Sequence, residues 1–288
     1  MGADGPDRRV NAYRDGLAAE YLRGSVDVPN YAKGETRQVV AAAAPLRAAP
    51  RFDAALETEI LHGESVTVYD ENEGWAWAQA QADSYVGYIP CDDLVVKITV
   101  PTHRVSALRT HLYPAPDIKV PPLDLLSMNA RVGVAEEMGR FMKLEDGRFA
   151  IAAHLVPVSD FAEDFAAIAQ EFLGTPYLWG GRTSAGIDCS ALVQLSLQAA
   201  GIDCPRDTDM QETALGEALS GPHDQGAYVR GDLIFWKEHM GIMLDDVRLL
   251  HASAHHMAVA IEPAGQAISR IEATEGPVSS VRRGAGAP

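Results

Sequence analysis

Residues 37–158 carry the same short apolar phrases twice over. Pro45-Leu46-Arg47 is echoed at 105–109, residues 58–61 at 124–127, residues 64–68 at 130–134, and the closing run 85–94 at 148–155. Each copy is built of short runs rich in β-branched and aromatic residues, broken by Gly, Pro and Asp. Ser65-Val66-Thr67-Val68-Tyr69, Trp75-Ala76-Trp77-Ala78-Gln79 and Tyr85-Val86-Gly87-Tyr88-Ile89-Pro90 are examples. Strands this short and this closely spaced suit a small barrel. Two copies imply tandem domains rather than a solenoid. We therefore expect one barrel over residues 37–98 and a second over 99–158, with a single larger β-sandwich as the alternative. Ahead of them, residues 1–36 read as a partly helical arm, because Leu17, Ala18, Tyr21 and Leu22 fall at helical spacing before Gly24.

Composition narrows the class. At 288 residues and 47% hydrophobic, the chain has room for several packed domains and is too apolar to be disordered. Its formal net charge of -16 argues against a nucleic-acid surface, an anionic membrane face or a polyanionic wall polymer as the main partner, since each would repel it at long range. A small or neutral ligand fits better, so neither a nucleic-acid nor a membrane partner is expected. No apolar run of signal-peptide length follows Arg8-Arg9, and no window reaches the length of a membrane span. Cys91, Cys189 and Cys204 are an odd number and do not make a disulfide framework. The expected location is cytoplasmic.

Near residue 158 the texture changes. Phe161, Phe165, Ile168, Ala169 and Phe172 form a helical stripe, with Ser159 or Asp160 as its N-cap and Gly174 as its stop. A second helix is expected from Asp188 to Ala200, ended by Gly201. Apolar strands follow at 232–236, 240–244, 248–252 and 258–261. Helices followed by an antiparallel meander make an α+β domain, expected over 159–265, with 266–288 as a loosely held tail.

The chemistry centres on Cys189, which opens the second helix. A thiol attacks an amide as the thiolate, and the amide dipoles at a helix start favour an anion. His239 begins one strand and His251 lies on the next, so a cysteine, a base and a third orienting group are all present, the components of a thiol hydrolase. Side chains alternate along a strand. A two-residue loop at Asp245-Asp246 would put the two histidines on opposite faces, so an odd loop or a bulge is required. Helix capping is the plain reading of Asp188 and Ser190. A metal site at His251, His255 and His256 is disfavoured, because imidazoles so spaced on a strand end diverge and no carboxylate or cysteine stands at a usual ligand spacing. The Gly180–Gly186 stretch lacks the ending of a phosphate loop. No metal or other cofactor is expected. His62, His103, His111, His154 and His223 have no context that raises them above ordinary residues.

The Gly-Tyr-Ile-Pro run at 87–90 resembles the bacterial SH3-like domain, more clearly in the first copy than in the second. From Asp160 to Glu262 the chain resembles the NlpC/P60 family of cysteine peptidases. The elements that carry this are Gly174-Thr175-Pro176-Tyr177-Leu178-Trp179-Gly180-Gly181, Asp188-Cys189-Ser190, Cys204-Pro205-Arg206-Asp207-Thr208, Gly231-Asp232-Leu233-Ile234-Phe235, His239-Met240-Gly241-Ile242 and Leu250-His251-Ala252-Ser253. Ala191 stands where many members have Gly.

The resemblance implies a papain-like α+β catalytic domain behind two SH3-like barrels. It implies Cys189 as nucleophile, His239 as base, His251 as the orienting third member, and Tyr177 facing the oxyanion, although a packed aromatic remains the alternative for Tyr177. Trp179 is assigned to the wall of the site or, equally, to the core. In the subgroup with SH3-like domains, the equivalents of Asp188 and Ser190 bind the free amino group of an N-terminal L-alanine. Thr208 and Arg206, with Tyr85 or Glu64 from the first barrel, are the further substrate-binding candidates. A buried Asp188 beside a thiolate would need a cation, which a substrate ammonium would supply. The expected activity is hydrolysis of the γ-D-glutamyl bond to a diamino acid in recycled peptidoglycan peptides. An amidase or acyltransferase of the same fold, or a wall hydrolase acting outside the cytoplasm, are the alternatives.

Overall fold

The computed structural model describes residues 5–219 and 228–285. His223 and the first four residues lie outside them. The chain divides into two compact units, Met1–Val158 and Ser159–Pro288.

In the first unit, the repetition seen in the sequence is a repetition of strand pairing. Glu35–Val39 pairs with Ser65–Asn72 and with Leu94–Val95, while Ala43–Arg47 pairs with Leu56–Leu61 and meets Val86–Pro90. The second copy repeats this arrangement. His103–Val105 pairs with Arg131–Val132 and Leu155–Pro157, and Arg109–Tyr113 pairs with Asp124–Ser127 and Phe149–Ile151. Both copies close through one 3-10 turn, at Cys91–Asp93 and Ala152–His154. In both, the carbonyl that ends the turn accepts from a backbone amide of the neighbouring segment, Val40 N to Asp93 O and Ser106 N to His154 O, each at 2.9 Å. The first copy is one seven-stranded sheet, whereas the second splits into sheets of three and five strands.

Leu46, Ile60, Val66, Val68 and Ile89 fill the first barrel. Gly87 is required where Val86–Pro90 crosses Ala43–Arg47. A Cβ there would lie 2.1 Å from Leu46 Cδ2 and 2.9 Å from the Arg47 carbonyl.

The regular structure of the N-terminal arm is mostly strand, not helix. Tyr13–Arg14 turns through Asp15-Gly16 into Leu17–Ala19, which runs parallel to Asn30–Ala32, and only Glu20–Leu22 is a 3-10 turn. Gly16 takes φ +85°, and this Asp-Gly turn outweighs the weak helical spacing. Arg14 fastens the arm to the barrel, stacking 4.6 Å from the Trp77 ring and pairing with Asp70.

The second unit is α+β. Helix α1 (Phe165–Glu171) begins later than its apolar stripe suggests. Asp164 is the N-cap, accepting from the amides of Ala166 and Ala167, and Ser159 and Asp160 are not. Helix α2 (Cys189–Ala199) is almost entirely buried, and α3 (Thr208–Ala214) and α4 (Ala264–Glu275) follow. The sheet is formed by β1 (Glu217–Ala218), β2 (Leu233–Trp236), β3 (His239–Met243), β4 (Arg248–Ser253), β5 (Ala258–Pro263) and β6 (Ser280–Arg283), in the order β1-β6-β2-β3-β4-β5. No helix among the described residues is long and apolar enough to cross a membrane.

The segment expected to be a loose tail is therefore structural. Residues 264–275 form α4, whose Ala264, Ala267 and Ile271 are buried, and β6 lies inside the sheet between β1 and β2. Gly and Ala content misleads here because small residues pack as well as they loosen. Arg283 fixes β6 to β2 through the fully buried Asp232, with bonds of 2.7 and 2.6 Å. Removing the guanidinium would strand that carboxylate. Arg283→Ala is therefore expected to lower unfolding stability by about 2–3 kcal/mol, below the usual cost of breaking a buried pair because Arg283 is 40% exposed. A denaturant titration checks this, and an unchanged midpoint would mean the tail is as loose as its composition suggests.

Candidate active site

Helix α2 owes its start to Asp188. Its carboxylate Oδ1 accepts from the Ala191 amide at 2.8 Å, which makes it the N-cap and Cys189 the first helical residue. Oδ2 also accepts from the Gly180 amide at 3.0 Å, tying the Pro176–Gly181 loop to the helix end. The cation this buried carboxylate needs is already in the chain. Arg206 donates to Oδ1 at 3.0 Å and Oδ2 at 2.6 Å, and to Ser190 Oγ at 2.7 Å, and Ser190 in turn donates to Asp188. Arg206 is only 1% exposed. This corrects the expectation on two points: Asp188 does not need a substrate ammonium for neutrality, and Arg206 stands behind the site as its counterion rather than in the cleft as a ligand.

The Cys189 sulfur has Thr208 Oγ1 at 4.0 Å. The Met240 amide, next to His239, also donates toward it, which brings the thiol to the start of β3. Burial pushes the thiol up to about 12, and Asp188 pushes the same way, against the smaller pull of Thr208, the Met240 amide and Arg206. The helix start does not by itself make a resting thiolate.

The hairpin between β3 and β4 has the required odd length. Ile242 pairs with Leu250 and Met243 with Leu249, and Leu244 N donates to Arg248 O, leaving Asp245, Asp246 and Val247 as a three-residue loop. Asp245 Oδ1 holds that loop by accepting from the amides of Val247 and Arg248. His239 and His251 therefore share a face, and His239 Nε2 lies 2.8 Å from His251 Nδ1. Burial lowers both imidazoles to about 3, so each is neutral at physiological pH.

His251 has a further partner that the sequence did not reveal. Its Nε2 lies 2.8 Å from Glu262 Oε1, which His256 Nε2 also approaches, at 3.3 Å. The ligand-type atoms of His251, His256 and Glu262 fall within 4.8 Å of one another. The sequence argument that the imidazoles diverge and have no carboxylate nearby thus fails. The β4–β5 register, with His251 opposite Ala260, puts Glu262 on the same face, and the turn folds His256 back. The Arg270 guanidinium from α4 already pairs with Glu262, so the cluster is a hydrogen-bond network closed by a cation of the chain itself. Finding Glu262 in the sequence would have required both hairpin registers.

Tyr177 is partly buried, and burial together with Cys189 and Asp188 raises its hydroxyl well above the ordinary phenol range. It remains a donor beside the thiol. Trp179 is 66% exposed, which rules out the core alternative. Tyr85 and Glu64 belong to the first unit. Tyr85 is in the first barrel's core, and Glu64 Oε2 accepts from the Leu61 amide at 2.8 Å.

Comparison with known proteins bears on the fold and the family. Residues 46–94 match the bacterial dipeptidyl-peptidase SH3 domain, and residues 174–273 match the NlpC/P60 family. A γ-D-glutamyl-L-lysine dipeptidyl-peptidase of Bacillus cereus is 26% identical over 72% of this chain and 70% of its own length. Dipeptidyl-peptidase 6 of Lysinibacillus sphaericus is 25% identical over 75% of this chain and 86% of its own. A crystal structure of an NlpC/P60 family protein from Bacillus cereus superposes with a TM-score of 0.70 at 22% identity, covering 86% of this chain and 99% of that one, and so supports the fold. The second unit of this chain is a peptidase domain of the NlpC/P60 family, carried behind a bacterial dipeptidyl-peptidase SH3 domain.

Proposed function

We propose that this chain is a cytoplasmic cysteine peptidase that cuts the γ-D-glutamyl bond to a diamino acid, lysine or diaminopimelate, in peptidoglycan-derived peptides with a free N-terminal L-alanine. The observation that carries it is the convergence on one helix start of the Cys189 thiol, the Met240 amide beside His239, and the His239–His251 pair. The substrate is carried over from relatives that share most of this chain's length and are named γ-D-glutamyl-L-lysine dipeptidyl-peptidase. Three free thiols fit a reducing compartment.

In this reading the resting pair is a neutral thiol and a neutral imidazole. His239 turns Nε2 toward His251, which leaves Nδ1 to take the thiol proton as sulfur attacks the γ-glutamyl carbonyl. Tyr177 and a backbone amide at the nucleophile face the developing oxyanion. The imidazolium then protonates the leaving amine, and water releases the acyl group from sulfur. Ser190, Thr208 and Trp179 bound the substrate's end of the cleft. Asp188, already paired, orients an incoming ammonium without being its sole counterion.

The direct test is a digest of L-Ala-γ-D-Glu-diamino acid peptides, free and N-acetylated. Release of L-Ala-γ-D-Glu from the free peptide alone, lost in Cys189→Ala, is expected. Equal cleavage of the blocked peptide or of intact wall would overturn the substrate assignment, and activity surviving in Cys189→Ala would overturn the mechanism.

Two further outcomes follow from the site. Arg206→Met should cost about 3–5 kcal/mol of unfolding stability, because Asp188 would be left charged and buried. It should also slow the enzyme, since a bare carboxylate beside Cys189 opposes thiolate formation. Thermal melts and initial rates measure both. The histidines also make stability depend on pH. Their folded values lie near 3, below the ordinary 6.5, so below pH 6.5 the unfolded chain binds protons that the folded chain refuses. Stability should therefore fall as pH drops from 6.5 toward 3, and His239→Ala should flatten that fall between pH 6.5 and 5, where most carboxylates stay ionised. Parallel pH–melting curves for the two proteins would contradict this.

A further inference from the structure

The hydrogen-bond line at the active site continues past His251. Three donors converge on Glu262 Oε1: His251 Nε2 at 2.8 Å, His256 Nε2 at 3.3 Å, and the Arg270 guanidinium. His251 is fully buried and the Glu262 side chain is 12% exposed, so water competes little for these contacts. A carboxylate oxygen facing an arginine is an acceptor.

This fixes the protons on two rings. A neutral imidazole has one N–H and one lone pair. To donate to Glu262, His251 must carry its proton on Nε2, which makes Nδ1 a lone pair. His251 Nδ1 can then only accept from His239 Nε2, 2.8 Å away, so His239 carries its proton on Nε2 and has a lone pair on Nδ1. That is the tautomer in which His239 can receive the thiol proton. In the opposite arrangement His251 Nδ1–H would donate to His239 Nε2, His239 would carry its proton on Nδ1, and the thiol would face a donor instead of a base.

We propose that Glu262 is a positioning residue that, through His251, sets the tautomer of His239 and so makes it a base toward Cys189. Arg270 keeps the acceptor in place by pairing with the same oxygen. His256 completes the set of donors, so the oxygen faces donors on every side described. The inference rests on Cys189 and His239 being the reacting groups, but it does not depend on which peptide is cut.

The test uses the full chain and three readouts. The first is the rate of iodoacetamide alkylation at Cys189 at neutral pH, followed by mass spectrometry of the peptide containing it, which requires no substrate. Glu262→Ala should slow it by about 10–100-fold, the usual scale for losing a group that orients a functional histidine. Glu262→Gln keeps an oxygen acceptor that the surrounding donors would orient toward His251, and should stay within a few-fold of the wild type. The second readout is kcat against KM on the γ-glutamyl peptide, where kcat should fall in parallel and KM should hold. The third is the ring-nitrogen NMR spectrum of His239, whose Nδ1 should change from lone-pair-like to protonated in Glu262→Ala and remain unchanged in Glu262→Gln.

If Glu262→Ala does not fold, Glu262→Met, of similar length, replaces it. Wild-type alkylation and an unchanged His239 tautomer in the variant without an acceptor would overturn the proposal. So would a Gln variant as impaired as the Ala variant. Absence of γ-glutamyl cleavage alongside the expected alkylation and NMR changes would overturn the substrate reading and leave this one standing.

Discussion

The buried ion pair between Asp188 and Arg206 is the interaction on which the site's geometry depends. One carboxylate caps α2, accepts from the Gly180 amide, and binds the guanidinium that also holds Ser190. The helix start, the loop bearing Tyr177 and the Cys204–Thr208 segment are thus tied to a single side chain. Two buried charges pay a desolvation cost that a pair of apolar residues would avoid, but an apolar pair could not fix three chain segments in direction. The arrangement also constrains the chemistry, since a carboxylate next to the Cys189 thiol opposes its ionisation and Arg206 offsets that only partly. Burial and Asp188 keep the thiol protonated at rest, so in the proposed mechanism the proton moves during the reaction, and the orientation of the imidazole that receives it becomes decisive.

That orientation comes from strand parity. With Asp245, Asp246 and Val247 in the loop, His239 and His251 fall on one face; a loop one residue shorter or longer would separate them. On the next hairpin, the register that pairs His251 with Ala260 brings Glu262 to that face as well. Two backbone registers thus align two imidazoles and a carboxylate with 2.8 Å between successive atoms. Burial makes this line effective, because it keeps both rings neutral and the tautomer is then set by hydrogen bonding rather than by solvent.

Local sequence made much of this legible. The tandem repeat could be read because strand spacing and turn residues repeat, and the pairing pattern repeats with them. Cys189 at a helix start and His239 and His251 on strands follow from capping and periodicity, which act over a few residues; that the two histidines work as a pair, and hence the need for an odd loop, is what the family resemblance implies. What escaped depends on partners distant in sequence. Nothing near Asp188 indicates that Arg206 is its counterion, and nothing near His251 indicates that Glu262 and Arg270 complete its line, because each contact is made by chain reversal. The arm was misread for a different reason: the Asp15-Gly16 turn is a local hairpin signal, and the weak helical spacing of Leu17, Tyr21 and Leu22 obscured it.

The misread C-terminal segment bears directly on the site. Helix α4 and strand β6 each contribute one arginine to a carboxylate of the sheet, Arg270 to Glu262 on β5 and Arg283 to Asp232 just ahead of β2. Between those two strands lie β3 and β4, which carry His239 and His251. The final stretch of chain therefore holds the sheet on both sides of the histidine pair, by backbone pairing and an ion pair at β2 and by an ion pair at β5. A domain ending at residue 265 would keep the cysteine and both histidines but lose the cation behind Glu262 and a neighbouring strand of β2. The residues proposed for catalysis lie on α2, β3 and β4, while this small-residue C-terminal stretch braces the strands on either side of the two histidines.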